Sequence, residues 1–132
     1  MQPRCVSSSF GKFILIPARA CIFVSGWIHS SMFTLIRSSH FDEWLSALAD
    51  QRGKARILAR LNSVALGNFG DCEPVGEGVS EMRVHFGPGY RVYFVRKGAT
   101  VYLLLTGGDK GTQRRDIERA KEIAREFKES ER

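Results

Sequence analysis

Residues 79–106 read VSEMRVHFGPGYRVYFVRKGATVYLLLT, and they decide the fold. Val79 to Phe86 alternates, with Met82, Val84 and Phe86 on one side and Glu81, Arg83 and His85 on the other, the period of a half-buried strand. Gly87-Pro88-Gly89 makes a turn, because glycine reaches backbone angles closed to other residues and proline cannot donate to a strand ladder. Tyr90 to Val95 returns, Lys97-Gly98 turns again, and Thr100 to Thr106 is apolar almost throughout, as a central strand covered on both faces would be. Three consecutive antiparallel strands result.

Upstream, Gly67 to Gly78 holds four glycines and one proline and reads as a loop. Before it, Ile57, Leu58, Leu61 and Val64 form the buried stripe of a helix that ends at Gly67-Asn68, and Arg52, Arg56 and Arg60 recur every four residues on its other side. Gly53, after Asp50, predicts a break between this helix and an earlier one carrying Phe41, Trp44, Leu45 and Leu48. Ser39 with Asp42 three residues on resembles a capping box at the start of that earlier helix. Phe33 to Ile36 is a short β-branched and aromatic strand. Downstream, Ile117, Ala120, Ile123, Ala124 and Phe127 give a last helix, beginning near Thr112, a continuous apolar stripe. The order is strand, two helices, three antiparallel strands, helix. This is an α+β domain with a small sheet packed on helices and its other face left partly open.

The chain has 132 residues and a formal charge of +6, room for one domain over residues 32–132. Arg4, Lys12 and Arg19, with no acid among the first 31 residues, supply half of that charge, while residues 32–132 hold 17 bases against 14 acids. Charge alone therefore does not demand an anionic partner. Cys5, Cys21 and Cys72 form no CxxC pair, which argues against a zinc ribbon, a redox motif or a disulfide framework and for a reducing cytoplasm. Residues 1–31 read as an N-terminal extension without period or acids. Pro17 and Arg19 interrupt its apolar run, making it a poor membrane helix, and no small-residue cleavage site follows as a signal peptide requires. Met32 is either the true start or an internal methionine after a natural tail.

With a three-residue turn, pairing sets His85 opposite Arg91 and Arg83 opposite Tyr93, so two arginines, a histidine and a tyrosine share one face. A slip of two residues would change the partners but not the face. Two guanidiniums suit a phosphodiester, an aromatic ring suits an unpaired base, and an imidazole such as that of His85 suits a proton shuttle on a ribose hydroxyl. No metal or cofactor is called for. The bland alternative is a solvated polar sheet face. Gly107-Gly108-Asp109-Lys110-Gly111, before the last helix, offers free amides and a lysine to a phosphate, though such a turn is as often a connector. Arg56 and Arg60 read either as a solvated helix face or as a docking surface for an acidic partner.

The stretches ARILARLNSVALGNFGD from Ala55, PVGEGVSEMRVHFGPGYRVYF from Pro74 and LLLTGGDKGTQRRDIERAKEIA from Leu103 together resemble the RelE/ParE toxin superfamily, in its HigB-like branch of addiction module killer proteins. The resemblance covers residues 32–132 and implies a RelE-like fold. It also implies the toxin of a bacterial toxin–antitoxin pair, a metal-independent endoribonuclease that cuts mRNA on the translating ribosome. Its partners would be a small helix-turn-helix antitoxin, the ribosome and mRNA, with operator DNA reached only through the antitoxin and no membrane involved. By motif match it makes Arg83 and Arg91 phosphate-binding and transition-state groups and Lys110 a further cation. Tyr90 and Tyr93 become candidates for stacking or proton transfer, and Gln113 a candidate RNA contact or a helix cap. His85 departs from the family's pattern, so its role rests on its chemistry alone. The alternatives are a non-enzymatic inhibitor of DNA gyrase, as in the ParE branch, and an inactive antitoxin-binding module.

Overall fold

A computed structural model describes the backbone of Ile14–Ile16 and residues 32–130. Its strands are β1 (Ile14–Ile16), β2 (Thr34–Arg37), β3 (Cys72–Gly76), β4 (Val79–Val84), β5 (Tyr90–Arg96) and β6 (Val101–Asp109). Its helices are α1 (Ser39–Ala47), α2 (Gln51–Ala65) and α3 (Gln113–Ser130), with a 3-10 turn at Lys110–Thr112. Among the described residues the strands form one mixed sheet in the order β1-β2-β6-β5-β4-β3, in which β2 and β6 run parallel and the other neighbours antiparallel. The remainder of residues 1–31, including Pro17, Arg19, Cys5 and Cys21, lies outside the described residues.

Alternation along the strands divides the core in two. Met82, Val84, Tyr90, Val92, Phe94 and Leu104 face α1 and α2, where Phe41, Leu45, Ile57 and Leu61 are buried against them. Val79, Tyr93, Leu103 and Leu105 face α3 and pack on Ala120 and Ile123. The face expected to stay partly open is therefore covered by α3 along its middle, because Leu103 and Leu105 need a partner there. A β-bulge makes this possible. Tyr93 pairs with Thr106 and Phe94 with Leu104, so Leu105 has no partner in β5 and turns toward α3. Its carbonyl is satisfied by Ser38 Oγ at 2.9 Å, and the same oxygen accepts from the Phe41 amide at 3.1 Å as the N-cap of α1. The cap is thus Ser38 and not Ser39.

Other expectations need correction. The expected break between two helices is present at residues 48–50, but Gly53 does not make it; it lies in the first turn of α2, where its amide donates to the capping carboxylate of Asp50 at 3.0 Å. A Cβ at Gly53 would stand 2.5 Å from the Tyr90 ring, so close approach and not flexibility explains this glycine. The glycine-rich segment before Val79 is not all loop. It holds β3, an edge strand whose Pro74 is exposed, the setting in which proline is tolerated in a sheet. Strand β4 stops at Val84 and not at Phe86, because the Phe86 amide folds back onto the Val84 carbonyl at 2.8 Å and the Gly89 amide onto the Phe86 carbonyl at 3.0 Å. Gly107 to Asp109 belong to β6 and are not a free connector.

Candidate functional site

The longer turn moves the β4–β5 register by two residues from the one expected. Arg83 is opposite Arg91, Glu81 opposite Tyr93, and His85 has left the ladder. The face is preserved because side chains alternate with period two, so the arginine pair survives and gains a carboxylate while losing the imidazole.

Glu81 organises what lies under α3. Its side chain is 1% exposed. One oxygen accepts from Gln113 Nε2 at 2.6 Å and from the Tyr93 hydroxyl at 3.3 Å, with Arg91 Nε 3.8 Å away; the other accepts from Arg83 Nε at 3.4 Å. Arg83 continues outward to Asp71 at 3.4 Å and to Glu73. Arg91 is nearly buried, and its Nε has no hydrogen-bond partner among the described residues. Three carboxylates thus surround two arginines. Burial, and then the charge of Glu81, pushes the Tyr93 phenol well above its ordinary range, so Tyr93 stays a proton donor to Glu81. It is fully buried and presents no face to a base.

Tyr90 lies on the opposite face. Its ring packs in the α1–α2 core near Trp44, and its hydroxyl donates to Asp50 at 2.8 Å. Burial and that bond push it up to about 12. Neither stacking on RNA nor proton transfer at the arginine pair is open to it from there.

Lys110 follows β6 in the 3-10 turn and is exposed, and its Cβ is 3.6 Å from where a Cβ on Gly89 would stand. It therefore stands beside the β4–β5 turn. A capping box takes two amides here: Asp109 Oδ1 accepts from the Thr112 amide at 3.2 Å, and the Asp109 amide donates to Thr112 Oγ1 at 3.5 Å. The Asp116 carboxylate, bonded to the Thr112 hydroxyl, occupies the space over Gly108 where a Cβ would go. Gln113 donates to Glu81, a contact that ties the start of α3 to β4.

Two helix arginines have settled positions. Arg60 is no solvated charge: it donates to the carbonyls of Arg83 at 2.5 Å and Phe69 at 2.6 Å, tying α2 to the corner that precedes β3. Arg56 lies over the Phe86 ring at 4.7 Å. His85 is largely exposed, and its Nε2 is 2.6 Å from Asp71 Oδ2. Sequence reading missed Glu81, Asp71 and Glu73. Glu81 had a signal, since it shares the strand parity of Arg83; Asp71 sits in the segment taken for a loop and had none.

Among the described residues, no group of three or more His, Cys, Asp and Glu side chains is placed to hold a metal ion, and no helix is long and apolar enough to cross a membrane. These features define a small α+β protein with a mixed sheet between two helical layers and a carboxylate-bridged arginine pair at one sheet end. Residues 43–128 match the model of the family described as Phage derived protein Gp49-like (DUF891), and the chain belongs to that family, which is toxin-like in the sense of toxin–antitoxin pairs. A Haemophilus influenzae (strain ATCC 51907 / DSM 11121 / KW20 / Rd) relative, described as an uncharacterized protein, is 48% identical over 87 residues, which cover 66% of this chain and 88% of the relative. No solved structure matches. The family match runs from α1 into α3 and so contains every site residue named above.

Proposed function

We propose that the chain is the toxin of a toxin–antitoxin pair of the HigB-like RelE/ParE kind, an endoribonuclease that cuts mRNA on the translating ribosome and is silenced by a small helix-turn-helix antitoxin. The observation that carries this reading is the cross-strand pairing of Arg83 with Arg91, with Lys110 beside the turn that joins their strands and His85 exposed in that turn. Arg83 is the phosphate ligand, since its side chain is 27% exposed and its outer partners Asp71 and Glu73 are themselves open to solvent. The pair with Glu73, the most exposed of the three carboxylates, is a surface pair that a phosphodiester can replace while Asp71 keeps its hold on Arg83. Arg91, held beneath beside Glu81, supplies charge from a fixed position, and Lys110 reaches the backbone from the other side of the turn.

A second reading is favoured by one observation: three carboxylates neutralise the two arginines. It makes the chain a non-enzymatic inhibitor of a protein target such as DNA gyrase, or an inactive antitoxin-binding module. The test is to induce the full chain briefly in cells beside an Arg83→Ala form and to map 5′ ends of cellular mRNA. Cuts inside translated frames that disappear in the variant support the nuclease. Growth arrest with intact mRNA overturns it in favour of a protein target, and neither arrest nor cuts leaves the inactive module.

A further inference from the structure

The corner at residues 69–71 is held more rigidly than an exposed loop requires. The Arg83 amide donates to the Asp71 carbonyl at 3.0 Å, which locks the backbone of Asp71 to β4 just ahead of the Cys72–Met82 pairing. Arg60 holds the Phe69 carbonyl on one side and the Arg83 carbonyl on the other. Between them Gly70 takes φ +66, and a Cβ there would stand 2.9 Å from Arg60 Nη2, so only glycine lets the corner close on the guanidinium. This scaffolding delivers one carboxylate with its two oxygens engaged separately: Oδ1 to Arg83 Nη1 at 3.4 Å and Oδ2 to His85 Nε2 at 2.6 Å. The hydrogen bond from His85 is the main reason that the Asp71 carboxyl is held below its ordinary value.

We infer that Asp71 is the positioning residue of a proton-transfer dyad in which it fixes His85 as the Nε2–H tautomer, leaving the Nδ1 lone pair as general base beside the phosphate ligand Arg83. This rests on the nuclease reading above and specifies its chemistry. A carboxylate accepting one ring N–H sets the tautomer and orientation of the other nitrogen, and here the same carboxylate also holds the cation that binds the phosphate. The cations acting on the Asp71 carboxylate besides His85 are Arg83 and, behind the corner, Arg60.

In the reaction, Nδ1 takes the proton of a ribose 2′-hydroxyl as the O2′–P bond forms. The P–O5′ bond breaks with its electron pair passing to O5′. O5′ takes a proton from water, and the imidazolium neutralises the hydroxide left behind. The products are a 2′,3′-cyclic phosphate and a 5′-hydroxyl, with no change of oxidation state and no metal in any step.

The experiment uses the full chain in a purified translation system, with wild type, His85→Ala, Asp71→Asn and Asp71→Glu compared under single-turnover conditions, and histidine-labelled protein for nitrogen NMR. Expected are cyclic-phosphate and 5′-hydroxyl ends and a loss of about 10²-fold or more in His85→Ala. Asp71→Asn should lose about tenfold in maximal rate at an unchanged half-saturating concentration, and Asp71→Glu should recover most of it. The wild-type His85 signals should be those of the Nε2–H tautomer and become mixed in Asp71→Asn. Wild-type cutting that persists unchanged in His85→Ala overturns the dyad while the nuclease stands. An Nδ1–H tautomer in the wild type overturns the dyad whatever the RNA does. Intact mRNA with the wild type on translating ribosomes overturns the nuclease reading itself.

Discussion

Tyr90 and Tyr93 stand three residues apart in β5 and therefore face opposite layers, which gives two phenols of one strand unrelated work. Tyr93 donates to Glu81 under α3, and Tyr90 donates to the N-cap carboxylate of α2. Tyr90→Phe should cost about 1 kcal/mol in denaturant unfolding, the usual net worth of one hydrogen bond, and leave any RNA cutting at the wild-type rate. A loss of cutting without loss of stability would mean that the phenol reaches substrate after all. Glu81→Gln tests the other layer. Removing the charge leaves Arg83 and Arg91 without their shared buried counter-ion, so stability should fall by about 3 kcal/mol in the same assay. The parity that puts Glu81 beside Arg83 can be read from the alternation around Met82 and Val84, but its burial cannot, because burial comes from α3, which arrives from the far end of the chain.

At the scale of elements, α3 is a lid on the sheet as well as a helix. Ile123 is fully buried against it, while Arg119 faces solvent and pairs with Glu122 at 3.2 Å. Ile123→Ala should cost about 2–5 kcal/mol, the range for removing a buried aliphatic side chain, and Arg119→Ala should stay within about 0.5 kcal/mol in the same melts. The apolar stripe of α3 was legible because Ile117, Ala120, Ile123, Ala124 and Phe127 repeat at helical spacing. The surface it covers was not, since the Leu103–Leu105 run is apolar on both parities and the bulge that turns Leu105 toward α3 leaves no mark in sequence. β3 escaped for a related reason. An edge strand of CEPVG composition, with Glu73 and Pro74 exposed, has no apolar face to announce it.

For the whole molecule, several carboxylates are tied to distant elements, and this sets the acid side of its stability. The Gly53 amide and then the Tyr90 hydroxyl hold Asp50 below its ordinary value; His85 does so for Asp71 and Arg125 for Glu77. A carboxyl depressed in the folded state contributes stability that is fully present above its unfolded value, about pH 4, and is lost as pH falls through the folded value. Thermal melts between pH 7 and pH 2 should therefore show stability falling below about pH 4. Asp50→Asn, which can still cap α2, should flatten that fall while leaving the neutral-pH melting temperature close to wild type. A variant curve that still falls as steeply as wild type below about pH 4 would show that the Asp50 charge has no part in the acid transition.

The sequence by itself determined the element order from β2 through α1 and α2 to the β4–β6 meander and α3, since each of these carries a local period or a turn residue that needs no distant partner. It also determined that Arg83 and Arg91 share one sheet face, because parity within a strand is a local property. Only the tertiary structure decided which residues face each other across that sheet. The turn after β4 closes on the Val84 carbonyl, moves the register by two and releases His85 from the ladder. Arg60 then fixes the corner that brings Asp71 to it from outside the meander. Pairing across strands, and the burial that follows, depends on contacts between segments far apart along the chain, and a local pattern carries no record of them.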